Sequence, residues 1–174
     1  MTIRTGTQDD ADKIMALYRH VARTVGGLAR LEHEITRPYI EGFLSRSIES
    51  GLVLVAEHPD DPAQLVAEIH ACKPGISVFD HVLSELTIAV HPDFQGKKIG
   101  RTIFTIFLEE VALNRPEIGR VELITRESNL RAIQFYQSLG FVVEGRLEMR
   151  IRTEKNYEAD IPMGWQNPNF EFDQ

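Results

Sequence analysis

The chain has 174 residues, 43% of them apolar, enough for one domain with a sizeable core. Its 19 basic and 26 acidic residues leave a net charge of −7, which argues against an extended nucleic-acid surface. The single cysteine, Cys72, excludes an intrachain disulfide, and no apolar run nears the roughly 20 residues that a membrane span needs. The first ten residues lack the apolar centre of a signal peptide, so a cytoplasmic protein is expected, with no membrane or nucleic-acid partner.

In chain order, residues 2–7 read as a strand. A helix follows from Gln8 through Val25, with acidic residues in its first turn, Ile14, Leu17, Tyr18 and Val21 on one face, and Gly26-Gly27 as its stop. Pro38 suits a first helical turn, and Tyr39, Phe43, Leu44 and Ser47 follow at helical spacing to about Glu49. Residues 52–57 and 65–72 are Val-rich strands joined by the polar turn His58-Pro-Asp-Asp-Pro. Residues 82–90 form the next strand and 99–114 a long amphipathic helix. A strand at 121–125 and a helix at 129–139 ended by Gly140 come next.

Residues 141–152 read as one strand, because Phe141, Val143, Leu147, Met149 and Ile151 alternate with charged residues and predict one buried face. Residues 157–165 close the series. The order β-α-α-β-β-β-α-β-α-β-β predicts an α/β sandwich with helices on a mixed sheet. Residues 1–166 are expected to form one domain and 167–174 a C-terminal tail, which either docks through Phe170 and Phe172 or frays.

The most informative stretch runs from Glu85 to Arg101. A β-branched strand meets a Pro-bearing turn, then a loop rich in glycine and lysine that feeds straight into a helix. Such a loop aims unpaired backbone N–H groups and the positive end of the helix dipole at one point, which suits phosphate. A P-loop spacing is absent. Gly96 and Gly100 alone, in mid-sequence, do not make a dinucleotide fingerprint.

Gln95-Gly-Lys-Lys-Ile-Gly100 fits a third pattern, Gln/Arg-x-x-Gly-x-Gly/Ala, at its first and last positions, and here the chain resembles the GNAT N-acetyltransferase superfamily. A second segment is similar to the superfamily's Asn-x-x-Ala-x-x-x-Tyr-x-x-x-Gly-Phe signature, with Asn129, Ala132, Tyr136, Gly140 and Phe141 at its positions. The resemblance spans about residues 2–165. It implies a mostly antiparallel central sheet flanked by helices, and acetyl transfer from acetyl-coenzyme A directly to a primary amine. It is also compatible with a homodimer.

By the resemblance, Gln95, Gly96, Lys97, Lys98, Ile99, Gly100 and Arg101 hold the coenzyme's pyrophosphate. Ile88, Ala89 and Val90 would bond the pantetheine arm through their main chain as the strands at 87–90 and 121–125 splay. Lys98 replaces the middle glycine and is expected to serve only with a helical backbone. Its ammonium either pairs with a phosphate oxygen or points to solvent. Asn129 is a helix cap or a coenzyme contact. Tyr136 is the candidate acid for the leaving thiolate, or else a core aromatic.

Glu85, ten residues before Gln95, is the candidate base that takes the amine's proton. Its rivals are Glu68 and His70, which share a strand face, and His81. Residues 35–50 and 153–156 would rim the acceptor. Cys72 reads as a buried structural thiol. The histidines show no tight ligand spacing, so no metal is expected. The same fold would also serve a non-catalytic acyl-coenzyme A binding module.

Overall fold

The computed structural model describes residues 1–24 and 28–170. The expected stop at Gly26-Gly27 and the docking of Phe172 lie outside the described residues, while the first helix ends at Ala22, short of the expected Val25. The fold is mixed α/β, with eight strands in mostly antiparallel pairing, flanked by helices. The chain forms two compact units, residues 1–73 with 87–110, and residues 74–86 with 111–174.

The first unit begins with β1 (Ile3–Thr5), α1 (Ala11–Ala22) and α2 (Arg37–Ser50). A single 3-10 turn, Gln8–Asp10, precedes α1, and Thr36 caps α2 by accepting from the Tyr39 N–H. β2 (Leu52–Glu57) and β3 (Leu65–Cys72) pair antiparallel, with Val53 opposite His70 and Val55 opposite Glu68. β1 pairs antiparallel with β2. Ile14, Leu17, Tyr18 and Val21 of α1 and Ile40, Phe43 and Leu44 of α2 bury against Val53, Val55 and Leu65. The expected helical stripes therefore do face the core. Residues 87–90 of β4 (Val82–Val90) and residues 99–110 of α3 (Ile99–Asn114) complete this unit.

In the second unit the start of β4 pairs parallel with β5 (Arg120–Arg126), Val82 with Arg120 and Leu83 with Val121. β5 pairs antiparallel along its whole length with β8 (Tyr157–Gln166), and α4 spans Leu130–Gln137. One correction concerns residues 141–152. They form two strands, β6 (Val142–Val143) and β7 (Leu147–Arg152), both paired with β8. The Glu144 N–H bonds Pro162 O, and the chain then leaves the ladder at Gly145. The predicted buried face forms only in part, since Phe141 is buried and Leu147 and Ile151 are partly buried, whereas Val143 is 41% and Met149 69% exposed. Met149 takes φ 54° where the β7–β8 register shifts, which disturbs the alternation.

The described part of the tail is docked. Asn167 is buried, and its side-chain amide donates to Ile118 O at 2.7 Å. Asn169 donates to Ala112 O at 2.9 Å. Phe170 closes over Gly119, where an added Cβ would lie 2.8 Å from its ring.

Candidate active site

The Gln95–Arg101 loop lies in the first unit together with Ile88, Ala89 and Val90. His91 caps the turn Pro92–Phe94, its Nδ1 accepting from the Asp93 N–H at 3.3 Å. Gln95 folds back so that Nε2 donates to Val90 O at 3.2 Å, which ties the loop to the end of β4. Gly96 follows at φ 75°, a conformation for which glycine costs nothing.

Lys98 takes φ 65°, not the helical backbone that its service in place of glycine was expected to require. The lysine adopts the left-handed geometry that a glycine would supply, at roughly 1–2 kcal/mol. Its carbonyl accepts from both the N–H and the hydroxyl of Thr102, at 2.9 and 3.2 Å, and so starts α3.

The backbone N–H groups of Gly96, Lys97, Lys98, Ile99 and Gly100 have no acceptor among the described residues. Donors arrayed ahead of a 16-residue helix form an anion cradle. Lys97 and Lys98 are exposed beside it, and the Lys97 ammonium lies 4.7 Å from the Phe94 ring centre. Gly100 lies against Val90, where an added Cβ would come within 3.3 Å of Cγ2. These residues fit a diphosphate.

The other predicted residues fall in the second unit. Asn129 caps α4, its Oδ1 accepting from the Ala132 N–H at 3.2 Å. Tyr136 is half-buried on α4, with Phe135 and Phe141 ring centres 5.5 and 6.1 Å away. Burial pushes its hydroxyl up to about 12, so the phenol stays protonated throughout the neutral range. Gly140 takes φ 95° and ends the segment as expected.

Glu85 is exposed on β4 and takes φ 56°, two residues past the last β4–β5 pair. A non-glycine residue held there stores roughly 1–3 kcal/mol of strain, which is characteristic of functional positions. The His81 carbonyl accepts from the N–H groups of Gly119 and Arg120, and its ring packs on Phe170.

Glu68 and His70 do share a face of β3, with Glu68 Oε1 2.9 Å from His70 Nδ1, and both are buried. Tyr18 donates to Glu68 Oε2 at 2.5 Å. The sequence reading gave Tyr18 to the core and missed this bond, for which a polar tip on an apolar stripe was the available signal. Cys72 is buried. Among the described residues, no group of three or more His, Cys, Asp or Glu side chains is placed to hold a metal, and no helix is long and apolar enough to cross a membrane.

Comparison with known proteins agrees with this fold. A GNAT-family acetyltransferase from Streptococcus pneumoniae superimposes with a TM-score of 0.82 at 20% identity, covering 95% of this chain and 98% of its own. The ribosomal-protein-alanine N-acetyltransferase of Brucella melitensis gives 0.79 at 21% identity, with 95% and 99% covered. A phosphinothricin acetyltransferase from Sinorhizobium meliloti, in complex with acetyl-CoA, gives 0.81 at 15% identity, with 99% and 91% covered. No curated protein matches the chain in sequence. The family described as "Acetyltransferase (GNAT) domain" matches residues 49–143, more than half of the sequence and including the whole pyrophosphate-type loop, and the chain belongs to that family.

Proposed function

We propose that this protein transfers an acetyl group from acetyl-coenzyme A directly to the primary amine of a small molecule or peptide. The observation that carries the reading is the run of N–H groups from Gly96 to Gly100 without acceptors among the described residues, in a chain of the GNAT family. Residues 95–101 would hold the pyrophosphate. Lys97 and Lys98 add positive charge beside it in an otherwise acidic protein. Ile88, Ala89 and Val90 would bond the pantetheine arm, with a strand N–H at Ala89 or Val90 polarising the thioester carbonyl. Acetyl-coenzyme A supplies the activated thioester.

Tyr136 would stabilise the departing thiolate. With its hydroxyl at about 12 and a free thiol near 8.5, complete proton transfer to sulfur is uphill by about 5 kcal/mol. Tyr136 therefore acts as a hydrogen-bond donor, and water completes the protonation of the thiol. Asn129 serves first as the cap that fixes the start of its helix.

The reading is tested by calorimetry with acetyl-coenzyme A and free coenzyme A, then by thiol release with spermidine, phosphinothricin and an alanine-terminated peptide. Micromolar binding and turnover of at least one amine are expected. No binding heat with well-folded protein would overturn the loop assignment, and binding without turnover would reduce the protein to an acyl-coenzyme A binding module.

A further inference from the structure

The buried trio of the first unit has no part in the chemistry so far described. Glu68 has no exposed surface, and a carboxylate so placed needs partners to avoid a penalty of several kcal/mol. It has two, the Tyr18 hydroxyl at 2.5 Å and His70 Nδ1 at 2.9 Å. The ring of Phe43 lies flat on the imidazole, with centres 3.9 Å apart and planes 8° from parallel. The imidazole is thus fixed both in position and in rotation.

A carboxylate offers acceptors alone, so Nδ1 carries the hydrogen and Nε2 keeps a lone pair. Nε2 has no hydrogen-bond partner among the described residues. Ser47 Oγ is the one side-chain polar atom among them that is sealed from solvent without a partner, so Nε2 meets the opening that leaves the His70 side chain 4% exposed.

The position of the trio matters as much as its chemistry. β3 neighbours β4, and the His91 N–H donates to Val66 O at 2.8 Å. His70 lies four residues along β3 from that bond, and Thr87 four residues back along β4. Ala89 packs in the same core as Tyr18 and Phe43. The imidazole therefore belongs to the part of the first unit that carries the thioester contacts proposed above. Glu85, by contrast, is a water-exposed carboxylate.

We propose that His70, oriented by Glu68 and Tyr18, is the general base that accepts the proton of the acceptor amine. The proposal rests on the acetyl-transfer reading. The N–C bond forms at the thioester carbonyl as the C–S bond breaks, and Nε2 takes the proton released by the nitrogen. The thiolate is protonated to the free thiol and the imidazolium returns its proton to water, so amine and thioester give amide and thiol. The titratable groups around the imidazole are Glu68 on its own strand, Tyr18 from α1, and Tyr39 from α2 behind Phe43, with the Arg30 guanidinium over the Tyr39 ring. Val53, opposite on β2, carries no charge.

The test follows thiol release between about pH 5.5 and 9.5 with the three amines named above, alongside calorimetric binding of acetyl-coenzyme A. His70→Gln is expected to lower kcat about 100-fold, move the acid limb of kcat/KM up to the acceptor amine's own ionisation and leave coenzyme affinity unchanged. Glu68→Gln removes the carboxylate that holds the Nδ1 hydrogen, so its acid limb should move, with a roughly tenfold loss of kcat. A purely structural role for Glu68 would lower the rate without moving the limb. Should His70→Gln fail to fold, an unmoved limb in Glu68→Gln and Tyr18→Phe overturns the proposal on its own. An acid limb left unmoved in folded His70→Gln, or moved in Glu85→Gln instead, overturns the assignment of the base while leaving the transfer reading intact. Coenzyme binding by the wild type without turnover of any of the three amines overturns both.

Discussion

Tyr136 and Lys98 depart from the isolated amino acid, one in the pH at which it ionises and the other in its backbone, and each departure has a measurable consequence. The Tyr136 hydroxyl, raised to about 12 by burial, remains a donor throughout the neutral range. Tyr136→Phe should lower kcat about tenfold at saturating acetyl-coenzyme A, with the coenzyme Kd changed less than about twofold. Because the phenol deprotonates only near 12, the wild-type rate should show no alkaline decline traceable to this group below about pH 11. Steady-state kinetics across that range check both statements, and equal kcat in mutant and wild type would remove Tyr136 from the chemistry. Lys98 at φ 65° is the second case. Lys98→Gly relieves the left-handed strain but adds freedom to the unfolded chain, for a net gain of about 0.5 kcal/mol or slightly more in denaturant unfolding. If the ammonium pairs with phosphate, the same variant should bind acetyl-coenzyme A several-fold more weakly at low salt, with the difference shrinking as salt rises.

At the scale of elements, the loop and the helix behind it act as one device. Gly96 and Lys98 turn the chain, Gln95 ties it to Val90, and α3 brings its dipole to bear on the exposed N–H groups. Gly100 is the tightest position, because a Cβ there would lie 3.3 Å from Val90 Cγ2. Gly100→Asp adds both that crowding and a negative charge beside the proposed pyrophosphate, so the Kd for acetyl-coenzyme A should rise at least about 30-fold. Gly100→Ala carries the crowding alone and should cost less than about fivefold, so calorimetry on the pair separates charge from shape. An unchanged Kd in folded Gly100→Asp would remove the loop from coenzyme binding.

For the molecule as a whole, what sequence conveyed depended on whether an element carried its own boundary markers. β3, β4 and α3 fall where the residue pattern set them, because turn residues and a change of period bracket each one. The break at Gly145 was not legible, since alternation continues across it and the exposure of Val143 and Met149 is decided by pairing with β8. Docking of Asn167 was equally hidden, for it serves the Ile118 carbonyl 49 residues away. In the site, the loop was legible as a motif, while the Lys98 backbone and the bond from Tyr18 to Glu68 are tertiary facts. The Arg4–Asp10–Glu57 group is another such fact, and it makes stability depend on pH. Asp10 is buried, and Arg4 donates to both of its oxygens at 2.8 Å while also reaching Glu57 at 2.8 Å. The Arg4 hydrogen bonds hold the Asp10 carboxyl below the usual carboxylate range, against the opposing effect of burial. A depressed folded-state value means that this stabilisation is fully present above the unfolded-state value and fades as pH falls through the folded one. Asp10→Asn should therefore cost roughly 2 kcal/mol near neutral pH, as expected when a hydrogen bond between charged groups is lost. In acid, below the usual carboxylate range, wild type loses the same contribution, so the gap between the two proteins should narrow. Urea unfolding of both proteins near neutrality and again near pH 3 measures that gap, and an equal difference under both conditions would show that the Arg4–Asp10 charge pair contributes nothing to folding.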